Sequence, residues 1–213
     1  MSFFLVIEGL DGAGTTTQTR RVAEALRGRG QEVHTTREPS DGPIGKMIRE
    51  MIGLRLTLPG STTQAPRPVS RPTLALLFAA DRLYHVDAEI EPALAQGHVV
   101  ISDRYVASSL VYQGDIDGTE AVDYDWVRRL NERARAPELT VFLRASPELS
   151  LQRLEGRAER DLFETREKLT RLARRYDEVV DLLSTLGHPV LTLEADQPPE
   201  AITAAILAAL PGE

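Results

Sequence analysis

Glycine at positions 9, 12 and 14, followed by Thr15, Thr16 and Thr17, is a set of residues suited to holding phosphate. Glycines let a tight loop turn its backbone N–H groups inward, and a helix starting behind them adds positive potential. The interval from Gly9 to Gly14, with Ala13 between, is that of a phosphate-binding loop, and Thr16 stands where a hydroxyl would ligate Mg²⁺. Such loops carry a lysine directly after the last glycine; here that residue is Thr15. Further along, Arg37 and Arg104 could each hold a phosphate through bidentate hydrogen bonds. Asp11 and Asp103 could organise Mg²⁺ directly or through water, because that ion takes oxygen ligands and keeps several waters. The bland alternatives are a glycine turn that binds nothing and arginines that merely pair with neighbouring carboxylates.

These residues are scattered over a hundred positions, so the elements between them must bring them together. Residues 3–7 are largely apolar and read as a buried strand, and the glycine loop follows it. A helix is expected from about Thr16 to Gly28, with Val22 and Leu26 on one face. Further strands are expected at 32–36, 98–102, 139–143 and 189–193, separated by helical stretches at 44–52, 73–96, 107–112, 123–134, 165–186 and 200–210. Pro92 should divide or kink the long 73–96 stretch, and Pro147 should open a helix. Residues 53–72, with prolines at 59, 66, 68 and 72, read as a loop. Five apolar strands alternating with helices call for a doubly wound parallel sheet in an α/β domain spanning residues 1–213. Ligands of such sheets bind at the carboxyl ends of the strands. The first three strands end at the glycine loop, at Arg37-Glu38-Pro39 and at Asp103-Arg104-Tyr105, so one sheet edge should carry the chemistry.

Composition narrows the classes. The 213 residues are 42% hydrophobic, enough for one core, and carry a net charge of −7, which argues against a bulk affinity for nucleic acid. There is no cysteine, hence no disulfide or thiolate metal chemistry. No apolar run reaches the length of a membrane span and the start lacks a signal-peptide pattern, so the expectation is a soluble cytoplasmic protein.

The segments EGLDGAG-TTTQ, TREP, LFAADR, DRY and SSLVYQG occur in this order and at similar spacing in the thymidylate kinases, and the resemblance runs from about residue 3 to 210. It implies the fold of a P-loop nucleoside-monophosphate kinase and transfer of the γ-phosphoryl group of ATP, with Mg²⁺, to thymidine 5′-monophosphate. On the substrate side it implies that Phe78 stacks on thymine and Arg82 hydrogen-bonds its carbonyl edge. Arg104, with Arg37 nearby, would hold the monophosphate, and Tyr112 would lie under the deoxyribose, with Ser108 and Ser109 in the same motif. Asp11 would approach the acceptor and its Mg²⁺, and Pro39 would follow a cis peptide bond. Residues 153–164 resemble the family's lid, in the subgroup that keeps its catalytic arginines there: Arg157 and Arg160, with Arg153 on the ATP side. Residues 195–198, including Gln197, resemble the adenine-side loop. The family is commonly dimeric, so a homodimer is implied as well.

Three positions depart from the family pattern. Thr15 replaces the loop lysine, Ser40-Asp41 replaces glycines after TREP, and Leu162 replaces an arginine near the end of the lid. Three readings stay open. The first is an active kinase whose lid arginines or Lys46 supply the missing charge. The second is a non-catalytic thymidylate-binding protein of the same fold. The third, a kinase of another small phosphate acceptor, is opposed by LFAADR and Tyr112.

Overall fold

The computed structural model describes residues 2–59, 67–114, 124–154 and 166–210. Its elements in chain order are β1 (Phe4–Gly9), α1 (Thr15–Gly28), β2 (Val33–Arg37), α2 (Pro43–Ile52), α3 (Arg71–His85), a π-helical turn (Val86–Ile90), α4 (Glu91–Ala95), β3 (Val99–Asp103) and α5 (Val106–Gly114). They continue with α6 (Tyr124–Leu130), β4 (Leu139–Arg144), α7 (Pro147–Leu154), α8 (Arg166–Thr185), β5 (Val190–Glu194) and α9 (Pro199–Ala209).

The five strands form one parallel sheet in the order β2-β3-β1-β4-β5. β1 lies in the middle because it is apolar on both faces. Leu5 and Ile7 pack with α1, α8 and α9 residues such as Val22, Leu172 and Ile206, whereas Phe4 and Val6 pack with Val86, Ile90 and Leu94. Burying both faces is what a central parallel strand requires. The chain returns from edge strand β2 to β3 beside β1, then crosses to β4 on its other side. The carboxyl end of β1 is therefore a topological switch point, where an open α/β sheet leaves room for a ligand.

Register sets the depth of the site. Ile7 and Arg37 are both opposite Asp103, so β2 and β3 end level with each other and two residues short of the end of β1. The expected strand positions agree with the observed ones to within a residue or two.

The long expected helix differs in detail. It does not simply kink at Pro92. α3 runs into a π-helical turn in which the Glu91 N–H donates to Val86 O, five residues back, and Pro92 then sits in the first turn of α4. Proline has no N–H for the carbonyl four residues before it, and widening the turn re-pairs the ladder just ahead of the gap. Within the 53–72 stretch, Leu58 and Arg67 form an isolated antiparallel bridge. Among the described residues no helix is long and apolar enough to cross a membrane.

Candidate active site

The glycine loop connects β1 to α1. Gly12 has φ 85° and Gly14 has φ 100°, values that side chains resist, and a Cβ at Gly12 would lie 2.9 Å from the Ser150 carbonyl. Gly14 is the N-cap of α1, and the helix starts at Thr15, one residue earlier than expected. Thr15 itself is buried, while Thr16 and Thr17 are exposed at the mouth of the loop.

Thr16 reaches across to β3, where its hydroxyl donates to Asp103 Oδ2 at 2.5 Å. The other carboxylate oxygen, Oδ1, is buried with no hydrogen-bond partner among the described residues. An unpaired buried carboxylate oxygen is costly. Beside a threonine hydroxyl at a phosphate loop, it fits a hard cation with oxygen ligands. No group of three or more acidic or histidine residues suited to a metal occurs among the described residues, so water and phosphate would complete such a shell.

Arg104 follows directly. Its φ is 74°, a left-handed conformation uncommon for a residue with a side chain. The turn is held by Arg104 N–H to Ile7 O at 2.9 Å and by Ser102 Oγ to Arg104 O at 2.7 Å. It swings the guanidinium over the Tyr112 ring, with 5.4 Å to the centroid. There the guanidinium donates to Asp11 Oδ1, to Ser108 Oγ at 3.2 Å and to Tyr176 OH at 3.1 Å. Tyr176 is buried edge-on against Tyr112 and Phe142, and burial pushes its phenol well above the ordinary value. It therefore stays a neutral hydroxyl beside the arginine.

Glu8 underlies this arrangement. It is 0% exposed and accepts from Tyr105 N at 2.8 Å, Ser108 N at 3.1 Å and Ser108 Oγ at 2.6 Å, so it caps the start of α5 with a carboxylate. Burial pushes its carboxyl above the ordinary 4.5, against the pull of those donors and of Arg104. The folded protein holds this proton to higher pH than the unfolded chain does. The stability due to that proton is fully present below the unfolded value and is lost as pH rises through the folded one. Glu8→Gln has no such proton to lose. Paired urea titrations are expected to show wild type losing stability relative to Glu8→Gln as pH rises from about 4.5. A relative gain would contradict the assignment.

The base-side candidates lie along α3. Phe78 is half-buried, one turn before Arg82. Arg82 is 1% exposed, and its fork is engaged by protein: Asn131 Oδ1, Glu38 Oε2 at 2.6 Å, Tyr105 O at 3.0 Å and Ser109 Oγ at 2.9 Å. Its Nε–H is buried with no partner among the described residues. The peptide bond before Pro39 is cis.

The two departures after TREP turn opposite ways. Ser40 faces inward, its N–H and Oγ donating to the buried Asp81 carboxylate at 2.7 and 2.6 Å. Asp41 faces outward, 2.9 Å from Arg37 and 3.1 Å from Arg49. The hydrogen bond from Arg37 holds its carboxyl below the usual range. Lys46 contributes to the same field.

On the opposite flank, Arg153 donates to Gly12 O and Ala13 O, each at 3.2 Å, and to Ala195 O at 2.8 Å. It ties the outer, carbonyl side of the glycine loop to the loop after β5, where Gln197 is exposed. Arg157, Arg160 and Leu162 lie outside the described residues.

The structure thus joins Thr16 to Asp103, and Arg104 to Asp11, Ser108 and Tyr112, through direct contacts, and separately Arg82 with Ser109 and Arg153 with the loop. Sequence reasoning missed Tyr176, Glu8, Glu38 and Asn131. Tyr176 had a signal: it continues the apolar stripe of Leu169, Leu172 and Val179 on an otherwise charged helix. Asn131 had none.

A parallel sheet in this strand order, with a phosphate loop after the central strand and an arginine and a carboxylate beside it, is the fold of a P-loop nucleoside-monophosphate kinase. The family model described as thymidylate kinase matches residues 7–206. A probable thymidylate kinase of Pyrococcus horikoshii is 37% identical over 191 residues, covering 90% of this chain and 82% of the relative. Another, of Caldivirga maquilingensis, is 35% identical over 209 residues, covering 92% and 95%. A third, of Methanococcus maripaludis, is 40% identical over 181 residues, covering 85% and 79%. The chain belongs to the thymidylate kinase family, and is an enzyme of that kind.

Proposed function

We propose that the chain phosphorylates thymidine 5′-monophosphate through the residues gathered at the ends of β1 and β3. Arg104, with Arg37 on the outer edge, holds the acceptor phosphate; Phe78 and the Arg82 region receive the base, and Tyr112 lies under the sugar. The glycine loop with Thr15, Thr16 and Thr17 receives the phosphates of ATP, and Arg153 and Gln197 flank its adenosine. Asp11, Thr16 and Asp103 hold Mg²⁺, which when bound neutralises phosphate charge. An acceptor phosphate oxygen displaces ADP from the γ-phosphorus, giving thymidine diphosphate. Phosphoryl transfer needs chiefly positioning and charge stabilisation. Asp11, Arg104, Arg157 and Arg160 are assigned to that task.

The observation that carries this reading is Arg104. A cation held in a strained turn, stacked on a tyrosine and paired with a partly exposed Asp11, has the setting of an anion-binding group. The non-catalytic reading draws no support from the named relatives, each called a probable thymidylate kinase. Exposed Met47, Ile52, Leu76, Leu83 and Tyr84 on α2 and α3 form the kind of surface a homodimer would cover, and we place the enzyme in the cytoplasm.

Thermal-shift titration over a panel of nucleoside monophosphates tests the acceptor site. Thymidine monophosphate at a hundred times its Kd should add about 2.7 kcal/mol to stability. Guanosine monophosphate at that same concentration should add far less; equal stabilisation by the two would sink the assignment.

Thr15→Lys tests the departure in the loop. Other cations lie close to this loop: Arg153 grips its outer side, and the lid arginines follow Arg153 in sequence. A further cation about 4 Å from one of them is opposed by roughly 4 kcal/mol at an effective dielectric of 20. Thr15→Lys is therefore expected to raise kcat/KM for ATP by less than about tenfold, or ~1.4 kcal/mol. A gain of about a hundredfold or more would show that Thr15 is an uncompensated loss.

A further inference from the structure

His85, at the end of α3, is completely buried and bonded on both sides of its ring. Its Nδ1 is 3.2 Å from Glu38 Oε1, and its Nε2 is 2.7 Å from Thr36 Oγ1 and 3.5 Å from Glu89 Oε2. The Glu38 side chain is 3% exposed, and its other oxygen, Oε2, takes the Arg82 bond at 2.6 Å. The remaining described partners of Arg82 (Asn131 Oδ1, Tyr105 O and Ser109 Oγ) are neutral. Glu38 is thus the described counter-ion of a buried guanidinium, and His85 is the group that fixes the free half of that counter-ion.

The chemistry assigns the hydrogens. An ionised carboxylate only accepts, so Nδ1 must carry the ring proton. Nε2 faces the Thr36 hydroxyl at 2.7 Å and the Glu89 carboxylate at 3.5 Å. This is the arrangement in which a second group orients a first by taking up its spare valence. It also joins three elements: β2 through Thr36, the loop after it through Glu38, and α3 through His85 and Arg82.

We propose that His85 is a positioning residue for recognition of the acceptor base: it aligns Glu38, and Glu38 aligns Arg82. The assignment rests on reading the Arg82 region as the base-side wall. Without the ring, Glu38 Oε1 is left unpaired in a dry interior and its carboxylate is free to turn, taking Arg82 with it. Acceptor affinity then falls, while the ATP side, on the far flank of β1, is left alone.

The test compares His85→Phe, which keeps the volume and removes both nitrogens, with His85→Asn, which keeps a donor near the Nδ1 position. Arg82→Met is the comparator. Calorimetry gives the Kd of thymidine monophosphate, and steady-state kinetics give the KM for ATP and the kcat at saturating acceptor. His85→Phe should weaken the acceptor by about tenfold or more, the scale of one hydrogen bond to a charged group. The ATP KM and kcat should stay within about threefold, and His85→Asn should recover most of the affinity. An unchanged acceptor Kd in folded His85→Phe overturns the proposal, and so does a parallel rise in both substrates' constants, which marks general loosening. If Arg82→Met leaves acceptor affinity intact, the base-side reading of Arg82 falls and the proposal falls with it. If Arg82→Met weakens binding but His85→Phe does not, the assignment of His85 alone fails. Should His85→Phe not fold, ring-nitrogen NMR of the wild type decides: a proton on Nδ1 is expected, and an Nδ1 without one overturns the assignment.

Discussion

Replacing Arg104 by methionine is expected to lower kcat/KM for thymidine monophosphate by about 10³, the upper range for one preorganised donor. The guanidinium is held from below by the Tyr112 ring and from the side by Ser108 and Tyr176. None of these neutral partners competes with a phosphate for its charge. Asp11 does, and its side chain is 41% exposed, so an incoming phosphate can take its place without stranding it in a dry interior. Lysine should not rescue. A point charge cannot reproduce a planar fork that serves three partners at once, nor stack on the ring in the same way. Measured kcat and KM for Arg104→Met and Arg104→Lys check this. If Arg104→Lys keeps more than about a tenth of the wild-type kcat/KM, geometry at this position matters less than charge.

Asp103→Asn should be the second largest loss, a fall of about a hundredfold or more in kcat at fixed Mg²⁺, since a bound cation supplies several kcal/mol of charge stabilisation. The structural reason is the division of labour between its two oxygens. Oδ2 accepts from Thr16, and an amide oxygen can do the same. Oδ1 has no described protein partner to lose, so the fold gives up little on substitution. Activity and stability should therefore separate. Urea unfolding of Asp103→Asn is expected within about 1 kcal/mol of wild type, and raising Mg²⁺ should recover part of the rate. A variant that loses stability and rate together would show Asp103 to be a structural partner of Thr16.

Much of this was legible in the chain because parallel strands buried on both faces announce themselves. Residues 3–7, 98–102 and 139–143 are mostly apolar, and glycine, arginine and aspartate appear soon after those runs stop. The rule that ligands gather at strand ends then places Asp11, Arg37, Asp103 and Arg104 at one edge without any coordinates. Register made that expectation concrete by setting Ile7 and Arg37 level with Asp103.

What could not be read was pairing across long intervals. Arg82 to Asn131, His85 to Glu38 and Arg104 to Tyr176 join residues between 47 and 72 positions apart, and no local pattern marks them. Ser40 and Asp41 make the same point. Adjacent polar residues in a loop look alike in sequence, yet one is buried against Asp81 and the other exposed beside Arg37. The π-helical turn before Pro92 is a third case. A proline in a helical stretch signals a break, but whether the ladder kinks or widens depends on packing, here Val86 and Ile90 against β1 and β3.

The most direct test of the account is a coupled assay for ADP formation by the wild-type protein with ATP and thymidine monophosphate, with and without Mg²⁺. The account predicts Mg²⁺-dependent, acceptor-dependent turnover despite Thr15, with thymidine diphosphate formed in equal amount to ADP. Tight binding of thymidine monophosphate with no acceptor-dependent ADP formation at any Mg²⁺ concentration would contradict it.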